Sequence, residues 1–280
     1  MDWLTAYKIP IGAWAKVIFD WMKTHLGPLF DAISWVMEGM IAGILWILQT
    51  PHPLVVVAAF VAITWALQRN WKICLGVLLG FLFVMNQGYW KETTESLTLI
   101  LSACVVCMAA GVPLGILFAH RPRLYTAISP VLDLMQTLPT FVYLIPVLTL
   151  FGLGNAPGLI VTIIFVIPTS VRLTHLGVTS VPKSIVEAGE AFGATKRQLL
   201  WKVELPSALP TIMAGLTQSI MLSLSMVVFA ALIGAGGLGT EINRALGSRK
   251  IDLGLEAGLA IVVLAIVLDR MTRIGVGGKK

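Results

Sequence analysis

Long apolar runs separated by short polar breaks make up most of this chain. Crossing about 30 Å of hydrocarbon takes about 20 apolar residues, and about 17 at the least. Runs of that order lie at 29–48, 54–67, 72–88, 93–119, 128–151, 157–173, 209–234 and 252–271. The second is short, so 54–88 reads either as two spans or as one shallow hairpin. The pattern predicts an all-α membrane protein of about eight transmembrane helices, or six with the hairpin. Both counts are even and put the two termini on one side. Ahead of the first run, Trp14, Val17, Ile18 and Trp21 fall at i, i+3, i+4 and i+7, while Lys16, Asp20, Lys23 and Thr24 take the other face. That spacing predicts an amphipathic helix over 12–25 lying in the membrane interface. Asp2 precedes any basic residue and the first continuous apolar run comes late, so no cleavable signal peptide is expected.

Composition supports the membrane reading. Of the 280 residues, 57% are hydrophobic and 12% charged, against about 45–50% and about 25% in soluble domains. One core cannot absorb that excess, so lipid must. The net charge of +6 forms no dense patch interleaved with aromatics, and no nucleic-acid partner is expected. With the N-terminus in the cytoplasm, only Lys91, Arg244, Arg249 and Lys250 fall outside, leaving 16 of the 20 basic residues inside. The positive-inside rule therefore predicts both termini cytoplasmic. The three cysteines, Cys74, Cys104 and Cys107, all sit in apolar runs. Cys104 and Cys107 have CxxC spacing but no second ligand pair, and read as small hydrophobes rather than a metal or redox site.

The connection over 174–208 is the long polar segment on the cytoplasmic side, and residues 180–210 read SVPKSIVEAGEAFGATKRQLLWKVELPSALP. Pro182 suits a first helical turn, and Ser184 with Glu187 has capping-box spacing. Ile185, Ala188, Gly189 and Phe192 share one face, and Gly193 stops the helix. A second helical stretch over about 195–203 is expected to end at Leu205-Pro206. Two short helices, neither long enough to span lipid, would present small and apolar side chains to a protein partner in the cytosol.

This segment resembles the EAA loop of permease subunits in binding-protein-dependent ABC importers. Glu187-Ala188 opens the pattern, Gly193 follows after three residues, and nine more lead to Val203-Glu204-Leu205-Pro206. Gly189 replaces the third alanine and Val203 the isoleucine. The stretches at 135–158, 225–239 and 265–273 look like the branch that moves glycine betaine, proline betaine and choline. The resemblance, over about residues 90–275, implies a type I ABC importer permease core over 91–275, with an N-terminal scaffold over 1–90 and a coupling loop at 180–208. It also implies a second copy of the chain, two ATP-binding cassette ATPases that hold ATP and Mg, and a soluble substrate-binding protein. In this sequence the coupling contact would fall on Glu187, Ala188, Gly189, Phe192, Gly193, Leu205 and Pro206. The chain itself would bind no cofactor: no GxxxxGK[ST] stretch is present. No soluble ligand-binding domain follows residue 271, so a separate binding protein is expected.

Residues of the solute pathway are less sharply marked. Glu38 and Asp133 are charged within spans, where charge costs about 2.5–3.5 kcal/mol at mid-helix; Asp133 would meet water or Arg123. Pro139, Pro146 and Pro168 would bend their helices. Gln218, Ser219, Ser223, Ser225 and Met226 give a mildly polar strip, and Tyr143 offers a ring for cation–π attraction to a quaternary ammonium. Helix packing by small polar residues explains the same strip equally well. Gly236 and Gly237, within the glycine-rich start of the external 235–250 segment, would form a gate or docking element. No Ser/His/Asp set, zinc-spaced histidine cluster or carboxylate pair points to an enzyme. The expected function is import of a quaternary amine by alternating access in the inner (cytoplasmic) membrane. The alternatives are the same architecture for an amino acid or sulfonate, a self-sufficient secondary transporter, and a membrane enzyme or signalling scaffold.

Overall fold

The structure is a computed structural model that describes residues 10–272. Every regular element among them is helical: α1 Ile11–Gln49, α2 Pro53–Gln68, α3 Trp71–Asn86, α4 Trp90–His120, α5 Pro122–Thr137, α6 Thr140–Phe151, α7 Asn155–Thr179, α8 Lys183–Ala191, α9 Lys196–Leu199, a π-turn Leu200–Glu204, α10 Leu205–Leu232, α11 Leu238–Ser248 and α12 Ile251–Thr272. Lys8, Arg273, Lys279 and Lys280, which entered the charge argument, lie outside the described residues.

Helices α4, α7 and α10 form the centre. Without a hydrophobic force between helices in lipid, close packing needs small residues at the contact. On α4, Gly111 and Gly115 are four apart and face α7. A Cβ on Gly111 would lie 2.5 Å from the Ser170 Cβ, and one on Gly115 2.5 Å from the Thr174 Cβ and 2.7 Å from the Val171 carbonyl oxygen. α10 joins α7 the same way. The Ser170 and Ser219 hydroxyls share a buried hydrogen bond of 2.9 Å, and a Cβ on Gly177 would approach the Ala208 carbonyl oxygen to 3.1 Å. Around this centre, Val77, Phe81, Leu97, Ile100, Leu224 and Leu264 make a core that joins α3, α4, α10 and α12. Tyr143, Leu144, Val161, Met226 and Ile233 hold α6 on α7 and α10.

Several sequence expectations change. The amphipathic stretch 12–25 is not a separate helix turned into the interface: α1 runs unbroken for 39 residues through Pro28, about 58 Å. Trp14, Val17, Ile18 and Trp21 are all more than half exposed on it, and Glu38 is exposed further along. The run 128–151 bends at Pro139, as expected, but sharply enough to form two helices. α5 and α6 meet at 98°, because Pro139 follows Leu138 in extended backbone (ψ 135°) and the residue before proline avoids the helical region. The 235–250 segment is not an open loop, since most of it forms α11, whose buried Leu238, Glu241 and Ala245 face inward.

Among the described residues five helices are long and apolar enough to cross a membrane, or six with the bent α5–α6 pair counted as one span. α2 and α3 have 16 residues each, about 24 Å. At one end the Tyr89 hydroxyl, just after α3, donates to Glu256 near the start of α12 (3.3 Å). At the other, the Gln68 amide donates to the carbonyl of Met271 at its end (3.0 Å). The hairpin therefore lies alongside α12 from Glu256 to Met271.

The α4–α7 crossing yields a direct test. Gly111→Leu must push two backbones apart, and overpacking costs about 1–3 kcal/mol or more, so the melting temperature of the detergent-solubilised protein should fall by several degrees. Gly43→Leu on α1, where an added Cβ meets nothing within 4 Å, should leave it unchanged. Equal melting of both variants would refute the close crossing.

Candidate functional site

At one end of the bundle, α8 folds back on α9 and the π-turn as a compact elbow. α8 begins after Pro182, which is the N-cap rather than a first-turn residue, and no side chain caps it. The expected Ser184–Glu187 box does not form. The capping box sits instead at α9, where the Thr195 hydroxyl accepts from the Gln198 backbone N–H (3.4 Å) and the Gln198 side chain accepts from the Thr195 N–H (2.8 Å). α8 ends as its sequence requires. Gly193 takes φ +79°, and the N–H groups of Gly193 and Ala194 donate to the carbonyls of Glu190 and Gly189 at 2.8 and 3.1 Å. That is the Schellman pattern, which glycine enters without strain.

The elbow has two faces. Its outer face carries Ile185, Glu187, Ala188 and Phe192, all exposed, with Phe192 93% exposed. Gly193 is exposed beside them. Gly189 is half-buried on the inner side, where an added Cβ would lie 2.7 Å from Leu199 Cδ2. It therefore lets α8 close on α9. The second stretch does not end at Leu205-Pro206. It continues through the π-turn, in which the Leu205 N–H donates to the Leu200 carbonyl, straight into α10. Pro206 has no N–H to give, and it falls in the first turn after the register shift, where none is missed. Leu205 packs toward Ala208 and Ile212 while Pro206 stays exposed. His120, at the end of α4, holds the elbow to the centre: its Nε2 is 3.0 Å from Glu204 Oε2. Sequence reasoning missed this pair because 84 residues separate its members.

The opposite end of the bundle carries the glycine-rich turn. Gly237 has φ +115°, and a Cβ there would lie 2.5 Å from Ser96 Oγ. The turn is pinned by two side chains from other helices. Ser96 Oγ accepts from the Leu238 N–H (2.8 Å) and Asn155 Oδ1 from the Gly236 N–H (2.8 Å). A Cβ on Gly236 would meet Glu95 Oε2 at 2.7 Å. The glycines serve close approach to the starts of α4 and α7, and Glu95, Ser96 and Asn155 are partners that no local pattern marked.

The expected pathway residues separate into two groups. Gln218 and Ser225 stand exposed on α10, whereas Ser219, Ser223 and Met226 are buried against its neighbours; the strip is two faces, not one. Tyr143 is buried, and its hydroxyl donates to the Leu134 carbonyl (3.1 Å), tying α6 to α5 across their bend. Asp133 pairs with Arg172 at 2.6 Å and not with Arg123. With the Gln136–Thr169 hydrogen bond of 2.8 Å, this pair fixes α5 on α7.

Comparison with known proteins agrees with this architecture. A family model described as binding-protein-dependent transport system inner membrane component matches residues 111–275. The chain is 42% identical to the glycine betaine/proline betaine transport system permease protein ProW of Escherichia coli (strain K12), over 95% of this chain and 75% of that one. It is 41% identical to the glycine betaine transport system permease protein OpuAB of Bacillus subtilis (strain 168), over 95% and 94%. A chain of the MetNI methionine ABC transporter in an inward-facing conformation superposes with a TM-score of 0.60 at 22% identity, over 66% of this chain and 94% of that one, which shows the shared type I permease fold. The molecule is the membrane-embedded permease subunit of an ABC importer and resides in the inner membrane. The chain belongs to the family of binding-protein-dependent transport system inner membrane components.

Proposed function

We propose that this permease moves a quaternary amine, of which glycine betaine is the first candidate and choline the second. Support comes from relatives about 40% identical over nearly the whole chain whose names specify glycine betaine. A soluble protein delivers the solute to the end that carries the Gly236–Gly237 turn, and two copies of the chain enclose the route. The elbow end faces the cytoplasm, because the basic residues collect there, and both termini lie on that side. Two partner ATPases, which hold ATP and Mg, dock on the outer face of α8.

One observation carries the coupling role: α8 leaves Phe192 almost wholly exposed on a helix whose other face is packed against α9. Burying a phenylalanine contributes about 1.5–3 kcal/mol, so a protein cleft that receives it gains substantially. Glu187, Ala188 and Gly193 surround it, and Gly189, Leu205 and Pro206 shape the elbow behind it. Because α9, the π-turn and α10 are one continuous rod, displacement of α8 by ATPase closure reaches α10 without crossing a loose joint. Gln218 and Ser225, on the open face of that rod, are the residues best placed to line the route. Asp133, held by Arg172, would act on it through the position of α5.

Phe192→Asp and Glu187→Lys alter exposed side chains, so membrane insertion should survive while the ATPase no longer co-purifies with the permease. Normal co-purification with both variants would remove the coupling role. For the solute, cells expressing the permease with its ATPase and binding protein should accumulate labelled glycine betaine at least tenfold above cells lacking the permease. An amino acid taken up at that rate with no betaine uptake would overturn the quaternary-amine reading.

A further inference from the structure

Two grooves run along the α2–α3–α12 side of the bundle, and they differ in charge. One, of about 450 Å³, lies between α2 and α3 and is lined by Leu54, Val57, Val61, Trp65 and Leu78 among others, with no charged residue. The other, of about 300 Å³, lies between α3 and α12, walled by Ile73, Gly76, Val77 and Ile266, with Lys72 and Arg270 also lining it. Lys72 stands in the first turn of α3 and Arg270 in the last turn of α12. Both are exposed, and among the described residues neither side chain is engaged in an ion pair or hydrogen bond. The neighbouring acid, Asp269, has an interaction of its own.

An apolar trough that ends in two uncompensated cations matches one class of molecule in a bilayer. We infer that the α3–α12 groove is a binding site for an anionic glycerophospholipid, with the headgroup phosphate between Lys72 and Arg270 and a length of acyl chain along Ile73, Gly76 and Ile266. Gly76 makes the room: a Cβ there meets nothing within 4 Å, so the groove floor is bare backbone. The uncharged α2–α3 groove would take acyl chains of any lipid without selecting a headgroup. Basic pockets between transmembrane helices bind anionic headgroups, and a cation near an anionic membrane surface contributes about 1 kcal/mol, or roughly fivefold in affinity. The inference rests on the membrane setting alone and does not depend on which solute is carried.

Native mass spectrometry of the full chain in detergent, titrated with dioleoylphosphatidylglycerol or dioleoylphosphatidylcholine, tests it. The wild type should retain the anionic lipid more than tenfold in preference to the zwitterionic one. Lys72→Gln/Arg270→Gln, both exposed substitutions, should erase the preference. Gly76→Phe, which fills the trough while keeping both cations, should also remove the tightly held lipid, and its melting temperature shows whether it is folded. Glycerol 3-phosphate at millimolar concentration should not displace the lipid. An unchanged preference in the double variant would overturn the site, and displacement by glycerol 3-phosphate would assign the cations to a soluble phosphate instead.

Discussion

The approach of α4 to α7 at Gly111 and Gly115 is the contact on which the other features depend. In lipid, helices gain nothing by hiding apolar surface from one another, so association must come from dispersion contacts and hydrogen bonds at short range. The glycine pair lets the backbones meet at Ser170 and Thr174, and that fixes where α7 places the rest of its length. Toward one end, Asn155 comes into reach of Gly236. Toward the other, α7 presents Arg172 to Asp133 and, at Gly177, receives α10 through Ala208. Separating α4 from α7 would release both the glycine turn and the elbow at once.

Most of the rods were legible in the sequence because lipid imposes a length and a composition on each of them. The spans at 93–119, 157–173 and 252–271 each lie within an observed helix, 209–234 overruns the end of α10 at Leu232 by two residues, and Gly193 stops α8 because a positive φ at a helix end selects glycine. Less legible were features set by tertiary packing. Nothing local announces that 12–25 and 29–48 form one helix, since Pro28 reads as a plausible boundary yet is accommodated within α1. Pro139 marked a bend in the 128–151 run, but not its size of 98°. A polar strip on α10 looked continuous because residues 218, 219, 223 and 225 are near in sequence, yet Ser219 is committed to Ser170 and Ser225 is not. Gly189 matched the family pattern for position while its structural use is internal, against Leu199.

The π-turn explains how a proline can sit between the elbow and a long helix without making a joint. A proline in a helix interior removes one hydrogen bond and clashes with the carbonyl four residues back. Here the ladder shifts by one residue before Pro206, with the Leu205 N–H reaching Leu200, so the missing donor coincides with the start of a new register. Such single π-turns occur within otherwise regular helices and gather at functional positions. The backbone is therefore continuously helical from α9 into α10, and His120 stands beside it at Glu204.

The short hairpin of α2 and α3 raises a mismatch that its charges resolve. Each helix is about 24 Å long, less than the about 30 Å of hydrocarbon, so lipid must thin locally or flanking side chains must reach outward. At the α12-end side, Arg69 takes the left-handed conformation at the turn (φ 50°), and Lys72 follows in the first turn of α3. Both place a long cationic side chain at the end of the short hairpin, where it can reach outward to the membrane surface. Arg270 adds a third from α12 at nearly the same height, as the Gln68–Met271 hydrogen bond requires. Three cations at one height attract anionic headgroups before any specific contact forms. The charges that anchor a short hairpin are thus also the ones that would select its neighbouring lipid.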